Sequence, residues 1–250
     1  MRRELVLALL FLVVTVSTYL IRFNQPMNAP GNQVTLTDRN AFRRAVLFDG
    51  LQELTPTSVF VQEATNLLER SGFSVDFWGG ENVTVELLLN LEYYDIILLR
   101  LHSAIASNGV LYIFTGELYE GEKYLVLRSS GIVARGVVAY MNKTYFALNS
   151  HYLGKNAQTN LTGSIVILMG CKGANDHEFV KSILGRGAKA YIAWDGNVSI
   201  EHSDVVTLEL LKALIEGGSN PIDAVNRVMN ELGPDPHYGS SLQCFTQVST

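Results

Sequence analysis

Residues 163–175 read GSIVILMGCKGAN. Six largely apolar residues, Ser164–Met169, run straight into Gly-Cys-Lys-Gly. The run predicts a buried strand that stops at Gly170. The chain has two cysteines, and one of them, Cys171, stands at the exit of this strand rather than inside it. A thiol used as core filler would sit within the apolar run. Gly170 and Gly173 flank the Cys171-Lys172 pair and leave the main chain free to turn sharply there.

On both sides of this stretch, strand and helix patterns alternate. Arg44–Phe48 is a short apolar strand, and Ser58–Arg70 has helical spacing that ends at Ser71-Gly72. Phe73–Trp78 alternates as a strand, and Val83–Leu91 predicts a helix capped by Asn82. Asp95–Leu101 (DIILLRL) predicts a strand that ends at His102-Ser103. Downstream come a helix at Asp176–Leu184, a strand at Ala188–Trp194 and helices at Asp204–Glu216 and Pro221–Leu232. The last has Asn220 as its cap and proline at its first position. Between Gly109 and His151 the runs GVLYIFTGE, KYLVLRSSG, IVARGVVAY and KTYFALNS predict antiparallel hairpins.

The expected fold class is therefore α/β: a mostly parallel sheet flanked by helices on both faces, with a β-hairpin insertion. In such sheets ligands collect beyond the carboxyl ends of the strands. Two strands end there in reactive residues, His102 and Cys171. If those strands are neighbours, imidazole and thiol converge on one edge.

The 250 residues are 48% hydrophobic and 17% charged, with a net charge of −5. No basic stripe is available to neutralise phosphates, which argues against a nucleic-acid partner. There is no internal repeat and no Walker pattern; Gly185-Arg186-Gly187 reads as a helix stop.

Residues 1–23, MRRELVLALLFLVVTVSTYLIRF, carry seventeen uncharged residues from Leu5 to Ile21, between arginines. As a helix they span roughly 25 Å. They predict a signal anchor or a signal peptide. The chain is then a single-pass cell-membrane protein held by its N-terminal helix with an extracytoplasmic domain, or is secreted if the segment is cleaved. Residues 24–40 read as a linker and 41–250 as the α/β domain. Four sequons, at Asn82, Asn142, Asn160 and Asn197, predict glycosylation and an exported domain.

A thiol attacks as its thiolate. A nearby histidine activates the sulfur and later protonates the leaving group. Backbone amides must receive the oxyanion of the tetrahedral intermediate. Cys171 and His102 supply the first two parts. The chain resembles the caspase-like cysteine peptidases, most closely the CHAT and clostripain-like domains, over roughly Ala45–Leu232. The resemblance rests on SIVILMGCKGAN, HEFVKSILGRGAKAYIAWDG, VVTLELLKALIEGGSNPIDAVNRVMNELG and the upstream DIILLRLHS. It implies a catalytic pair of His102 and Cys171, and an oxyanion site of the backbone amides of Ser103 and Cys171. It further implies that Asp195 and Trp194 bind the substrate, Asp195 attracting an Arg or Lys side chain and Trp194 forming an apolar wall. The sequence departs from the family at Ser103, where glycine is usual, and at Met169-Gly170 before the cysteine.

The expected activity is that of a cysteine endopeptidase acting on protein or peptide substrates, with no cofactor and no metal. The departures motivate an alternative: a catalytically inactive caspase-like binding or sensing module. Other readings of single residues stay open. Cys171 and Cys244 could form a disulfide, Asp195-Gly196 could be a turn only, and Cys171, His177 and His202 could hold zinc, although their spacing matches no compact ligand pattern.

Overall fold

The computed structural model describes residues 43–55, 58–91, 93–155 and 160–247. The chain divides into two units, Met1–Asn40 and Ala41–Thr250, and the first lies outside the described residues. The expectation of a membrane-spanning protein is corrected: among the described residues no helix is long and apolar enough to cross a membrane. The segment expected to be the anchor or signal peptide, 1–23, and the expected linker, 24–40, lie outside the described residues.

Six strands form the main sheet: β1 (Arg43–Asp49), β2 (Phe73–Gly79), β3 (Ile96–Arg100), β8 (Ile165–Leu168), β9 (Ala190–Trp194) and β10 (Leu242–Thr246). Their spatial order is β10-β9-β8-β3-β1-β2. All neighbours run parallel except β10, which is antiparallel to β9. Four more strands, β4 (Ser103–Ile105), β5 (Leu111–Leu118), β6 (Val133–Val138) and β7 (Lys143–Asn149), make a separate antiparallel sheet in the order β4-β5-β7-β6. The fold is thus α/β with a mostly parallel main sheet.

Apolar residues fill the inner strands without a polar alternation because both faces are covered. Successive side chains point to opposite faces. Val46, Phe48, Ile97, Leu99, Val166 and Leu168 join one core cluster, and Ala45, Leu47, Ile96, Leu98 and Ile167 join the other. The second cluster is closed by helices α1 (Val59–Arg70), α6 (Ile200–Ile215) and α7 (Pro221–Leu232), through Phe60, Leu68, Leu210 and Val225. The first is closed by α2 (Val85–Leu89), α5 (His177–Gly185) and the second sheet, through Leu88, Phe179, Ile113 and Phe146. Two short helices, α3 (Leu125–Ser129) and α4 (Ser150–Lys155), flank the second sheet.

Capping explains most helix starts. Ser58 accepts from the Val61 amide, Asp176 from Phe179 and Asn220 from Asp223. At α2 the expected cap, Asn82, lies in a 3-10 turn, and Thr84 accepts from the Leu87 amide instead. The run KYLVLRSSG is the short helix α3 rather than a strand. Its Leu125 and Val126 are both exposed, so no period-two face exists for a sheet to bury. The hydroxyl of Tyr124, whose backbone is left-handed, bonds Glu117 and Glu86 at the start of that helix. The C-terminal stretch, polar in composition, contains the edge strand β10, of which Leu242 is fully buried.

Candidate active site

The geometry at the carboxyl ends follows from one register. Strands β3 and β8 pair in parallel, with Ile96 beside Ile165 and Leu99 beside Leu168, an offset of 69 residues. His102 and Cys171 are separated by the same 69 residues. The Met169 amide donates to Leu99 O at 2.9 Å and carries the ladder one step past the last pair. Histidine and cysteine therefore leave adjacent strands level with each other.

The two exits are tied together. The Ser103 hydroxyl donates to Cys171 O at 2.7 Å, a bond that glycine at this position would lack. A Cβ on Gly170 would lie 2.3 Å from Ser103 Oγ and 2.4 Å from Leu101 O, so only glycine allows this approach. The turn after Cys171 is made by Lys172, which takes φ 58° in the left-handed region. The Lys172 amide donates to Gly196 O at 2.8 Å.

His102 and Cys171 line one pocket of about 350 Å³. Their reactive atoms are not hydrogen-bonded to each other. The Cys171 sulfur lies 3.9 Å from Val198 O, and His102 Nε2 lies 3.3 Å from the Tyr140 hydroxyl. Tyr140 sits on a 3-10 turn between β6 and β7, so the second sheet supplies one wall. Burial, and next the charge of Arg100, hold the imidazole below its usual pKa. Both favour the neutral imidazole, the form that can take a proton. Tyr140 is exposed as a side chain, but lost hydration around its hydroxyl, reinforced by the neighbouring Cys171, raises that group, which stays protonated.

The expected oxyanion donors have suitable backbone. The Cys171 amide makes no hydrogen bond among the described residues. Ser103 is opposite Ile113 in the β4–β5 pair, and the Phe114 amide donates to His102 O at 2.8 Å. Ser103 is thus at a non-hydrogen-bonded position, and its amide points away from β5 on the free edge of the second sheet.

Beside the pair lies a charged cluster that composition alone does not reveal. Arg100 is fully buried and donates to Asp49 Oδ1 at 2.6 Å, to both oxygens of Asp204 at 2.8 Å and to Thr55 at 3.0 Å. Burial opposes its charge, but the bonds to Asp204 and Asp49 outweigh that cost and raise its pKa. Burial also raises Asp49 and Asp204, and attraction to Arg100 offsets only part of this. Arg100, Asp204 and Glu201 all line the pocket. Glu201 is exposed, and its side chain makes no hydrogen bond or ion pair among the described residues. The available signal was the lone arginine in DIILLRL: a charge inside a buried strand requires partners.

The far wall is held by Asp235, itself buried. Its carboxylate accepts from the Ser199 amide and hydroxyl and from the His237 and Tyr238 amides. Burial opposes that charge, but these four donors prevail and bring the pKa down to about 2. The arrangement joins the Val198–Ser199 segment to the loop that carries Tyr238 into the pocket.

The remaining expected residues are placed elsewhere. Asp195 is exposed, accepts from the Ser241 amide at 2.8 Å and Gln243 Nε2 at 3.0 Å, and does not line the pocket. Trp194 is fully buried against the helical face, with its indole donating to Ser203. A side chain pointing into the core on the last residue of a strand cannot be a pocket wall. The four sequon asparagines, Asn82, Asn142, Asn160 and Asn197, are exposed. Cys171 and Cys244 are free thiols. Among the described residues no group of three or more His, Cys, Asp or Glu could hold a metal ion. No family model matches the chain, and no curated protein matches it.

Proposed function

We propose that this chain is an exported cysteine peptidase with a caspase-like arrangement, hydrolysing peptide bonds through Cys171 and His102. The observation that carries the reading is the shared 69-residue offset, which brings both residues out of adjacent parallel strands into one pocket. The exposed sequon asparagines support export.

The chemistry runs in two halves. His102 takes the thiol proton, and the Cys171 thiolate attacks the scissile carbonyl. The carbonyl oxygen becomes an oxyanion against the amides of Cys171 and Ser103. The imidazolium gives its proton to the leaving amine, the C–N bond breaks, and a thioester remains. His102 then takes a proton from water, whose oxygen attacks the thioester. The imidazolium returns the proton to sulfur as the acid leaves. Hydrogen bonds of such pairs are commonly long without substrate and tighten when it binds, in keeping with a thiol that rests near Val198 O.

The carboxylates at the pocket, Asp204 and Glu201 with Asp49 behind them, outnumber the one guanidinium, Arg100. This favours a cationic substrate side chain, the preference that the sequence had assigned to Asp195. The test is a panel of fluorogenic peptides varying only the residue before the scissile bond. We expect turnover that is lost in Cys171→Ala and highest for Arg or Lys. No turnover of any peptide, together with equal labelling of Cys171 and Cys244 by a thiol-directed reagent, would end the reading. It would leave the second one: a non-catalytic binding module, which the missing Cys171–His102 hydrogen bond favours.

A further inference from the structure

A histidine that cycles between neutral and protonated forms needs a group to fix its ring and to support its positive form. In many Cys–His and Ser–His sites that group is a carboxylate. Among the described residues no carboxylate hydrogen-bonds His102. The nearest formal charge influencing it is the Arg100 cation, which, like burial, works against an imidazolium. Among the described residues the only polar atom bonded to the ring is the Tyr140 hydroxyl, 3.3 Å from Nε2. The two rings also meet edge to face, with centroids 6.2 Å apart, and Phe114 packs on the imidazole in the same manner at 6.3 Å.

We propose that Tyr140 is a positioning residue: its oxygen accepts a hydrogen bond from His102 Nε2–H and leaves Nδ1 as the basic nitrogen. The inference rests on the reading of His102 and Cys171 as the reacting pair. It selects one tautomer. If Tyr140 donated to Nε2 instead, the proton would reside on Nδ1, and neither nitrogen would be free to accept from the thiol. Nδ1 makes no hydrogen bond among the described residues, which fits its assignment as the base. When the ring becomes cationic, the Nε2–H donor strengthens, and so does its bond to the tyrosine oxygen. Tyr140 thereby supplies part of the support that a carboxylate would give, without adding a charge.

The placement gives the second sheet a function. Tyr140 follows β6, and Asn142, at φ 51°, makes the left-handed step that sends the chain back along β7. His102 leads directly into β4 of the same sheet. One sheet therefore holds both members of the bond, and a shift of that sheet against the β8 exit would move imidazole and hydroxyl together relative to the sulfur.

The experiment is a pH profile of Cys171 alkylation by iodoacetamide in the full chain, followed by peptide mass spectrometry with Cys244 as the internal reference. Four proteins are compared: wild type, Tyr140→Phe, Tyr140→Leu and His102→Ala. An imidazolium beside the sulfur favours the thiolate, so loss of its support moves the reactive limb of the profile to higher pH. The charged and titratable groups facing this site are Arg100 from β3, Asp49 from β1, Glu201 and Asp204 from α6, Cys171 from the β8 exit and Tyr238 from the loop before β10. All are unchanged across the series except through His102 and Tyr140. We expect Tyr140→Phe to slow alkylation roughly fivefold near neutral pH, the size of one hydrogen bond. The rates should converge with wild type at high pH, where the thiolate forms unaided. Tyr140→Leu should match Tyr140→Phe, because the hydroxyl rather than the ring is decisive. A profile that moves in His102→Ala but not in Tyr140→Phe overturns the proposal and leaves the reacting pair intact. A profile that moves in neither overturns the pair, and Tyr140 with it.

Discussion

Cys171 and Cys244 are the same functional group, both half-buried and both carried by the main sheet, yet they are set in opposite surroundings. Cys244 lies inside β10, paired with Ile192 of β9, and packs against the apolar cluster under the helices. Burial alone pushes its thiol up to about 11. Cys171 lies past the end of its strand. There the ladder has stopped, a pocket opens, and a histidine, two amides without a hydrogen bond among the described residues and a group of carboxylates surround it. A residue inside a strand has apolar neighbours above and below and a bonded backbone, whereas one at a carboxyl end has neither. Position along the strand, more than depth of burial, separates the inert thiol from the candidate nucleophile.

The sharpest way to break the contrast is substitution of each thiol in turn. Cys171→Ala should abolish hydrolysis of a basic peptide, and Cys244→Ala should leave it at the wild-type level, both read by fluorogenic assay. Loss of activity in Cys244→Ala with a folded protein would show that the two environments had been assigned the wrong roles.

Next in size is Arg100→Met. It leaves Asp49 and Asp204 as uncompensated charges behind the β3 exit and should cost about 3–5 kcal/mol in urea unfolding. Replacing all three members together, Arg100→Met with Asp49→Leu and Asp204→Leu, should recover much of that loss. If the single change costs almost nothing, the cluster does not anchor the end of β3, and the pocket side of the comparison loses its support.

Gly170→Ala tests the close approach of the two exits. The added methyl group meets Ser103 Oγ and Leu101 O, and overpacking of this kind costs about 1–3 kcal/mol. Alkylation of Cys171 should change while that of Cys244 does not. Equal effects on both would mean that the exit is not a separate local unit.

Acid separates the two regions more gently. Asp235 ionises at about 2 in the folded chain, against an ordinary 3.8. A depressed carboxylate stabilises the fold fully above its unfolded value, and that contribution fades as the pH falls through the folded one. Between about pH 4 and pH 2 the Val198–Ser199 wall should loosen, seen as faster proteolysis near Ser199 with β10 still protected. The effect should be absent in Asp235→Asn. The smallest change is that of Glu201→Gln, which should raise KM for a basic peptide several-fold with kcat nearly unchanged, since an exposed charge contributes on the order of 1 kcal/mol.

Much of this architecture was legible in the sequence because its causes are local. SIVILM and DIILLRL are strands buried on both faces, and such strands are continuous in apolar residues. Ser58, Asp176 and Asn220 mark helix starts because their side chains bond amides three residues on. Other elements were hidden by the same logic. KYLVLRSSG is β-like in composition, but nothing in it encodes the pair of glutamates that hold Tyr124. The edge strand β10 buries little, so its pattern is faint. Asp195 stands at a strand end, as a pocket residue would, but its carboxylate turns to Ser241 and Gln243, at the start of a strand that the local pattern did not announce.

The sequence by itself determined the alternation of strands and helices and the position of a histidine and a cysteine at two strand ends. Chain-local forces set these features: side-chain periodicity, caps and turn-forming glycines. Only the tertiary structure decided that β3 and β8 are neighbours in a register that makes those ends level, that Tyr140 reaches His102 from a second sheet, and that Arg100 finds Asp49 and Asp204. Those outcomes depend on which faces bury each other between residues 38 to 104 positions apart in the chain. No window short enough to show a period contains that information.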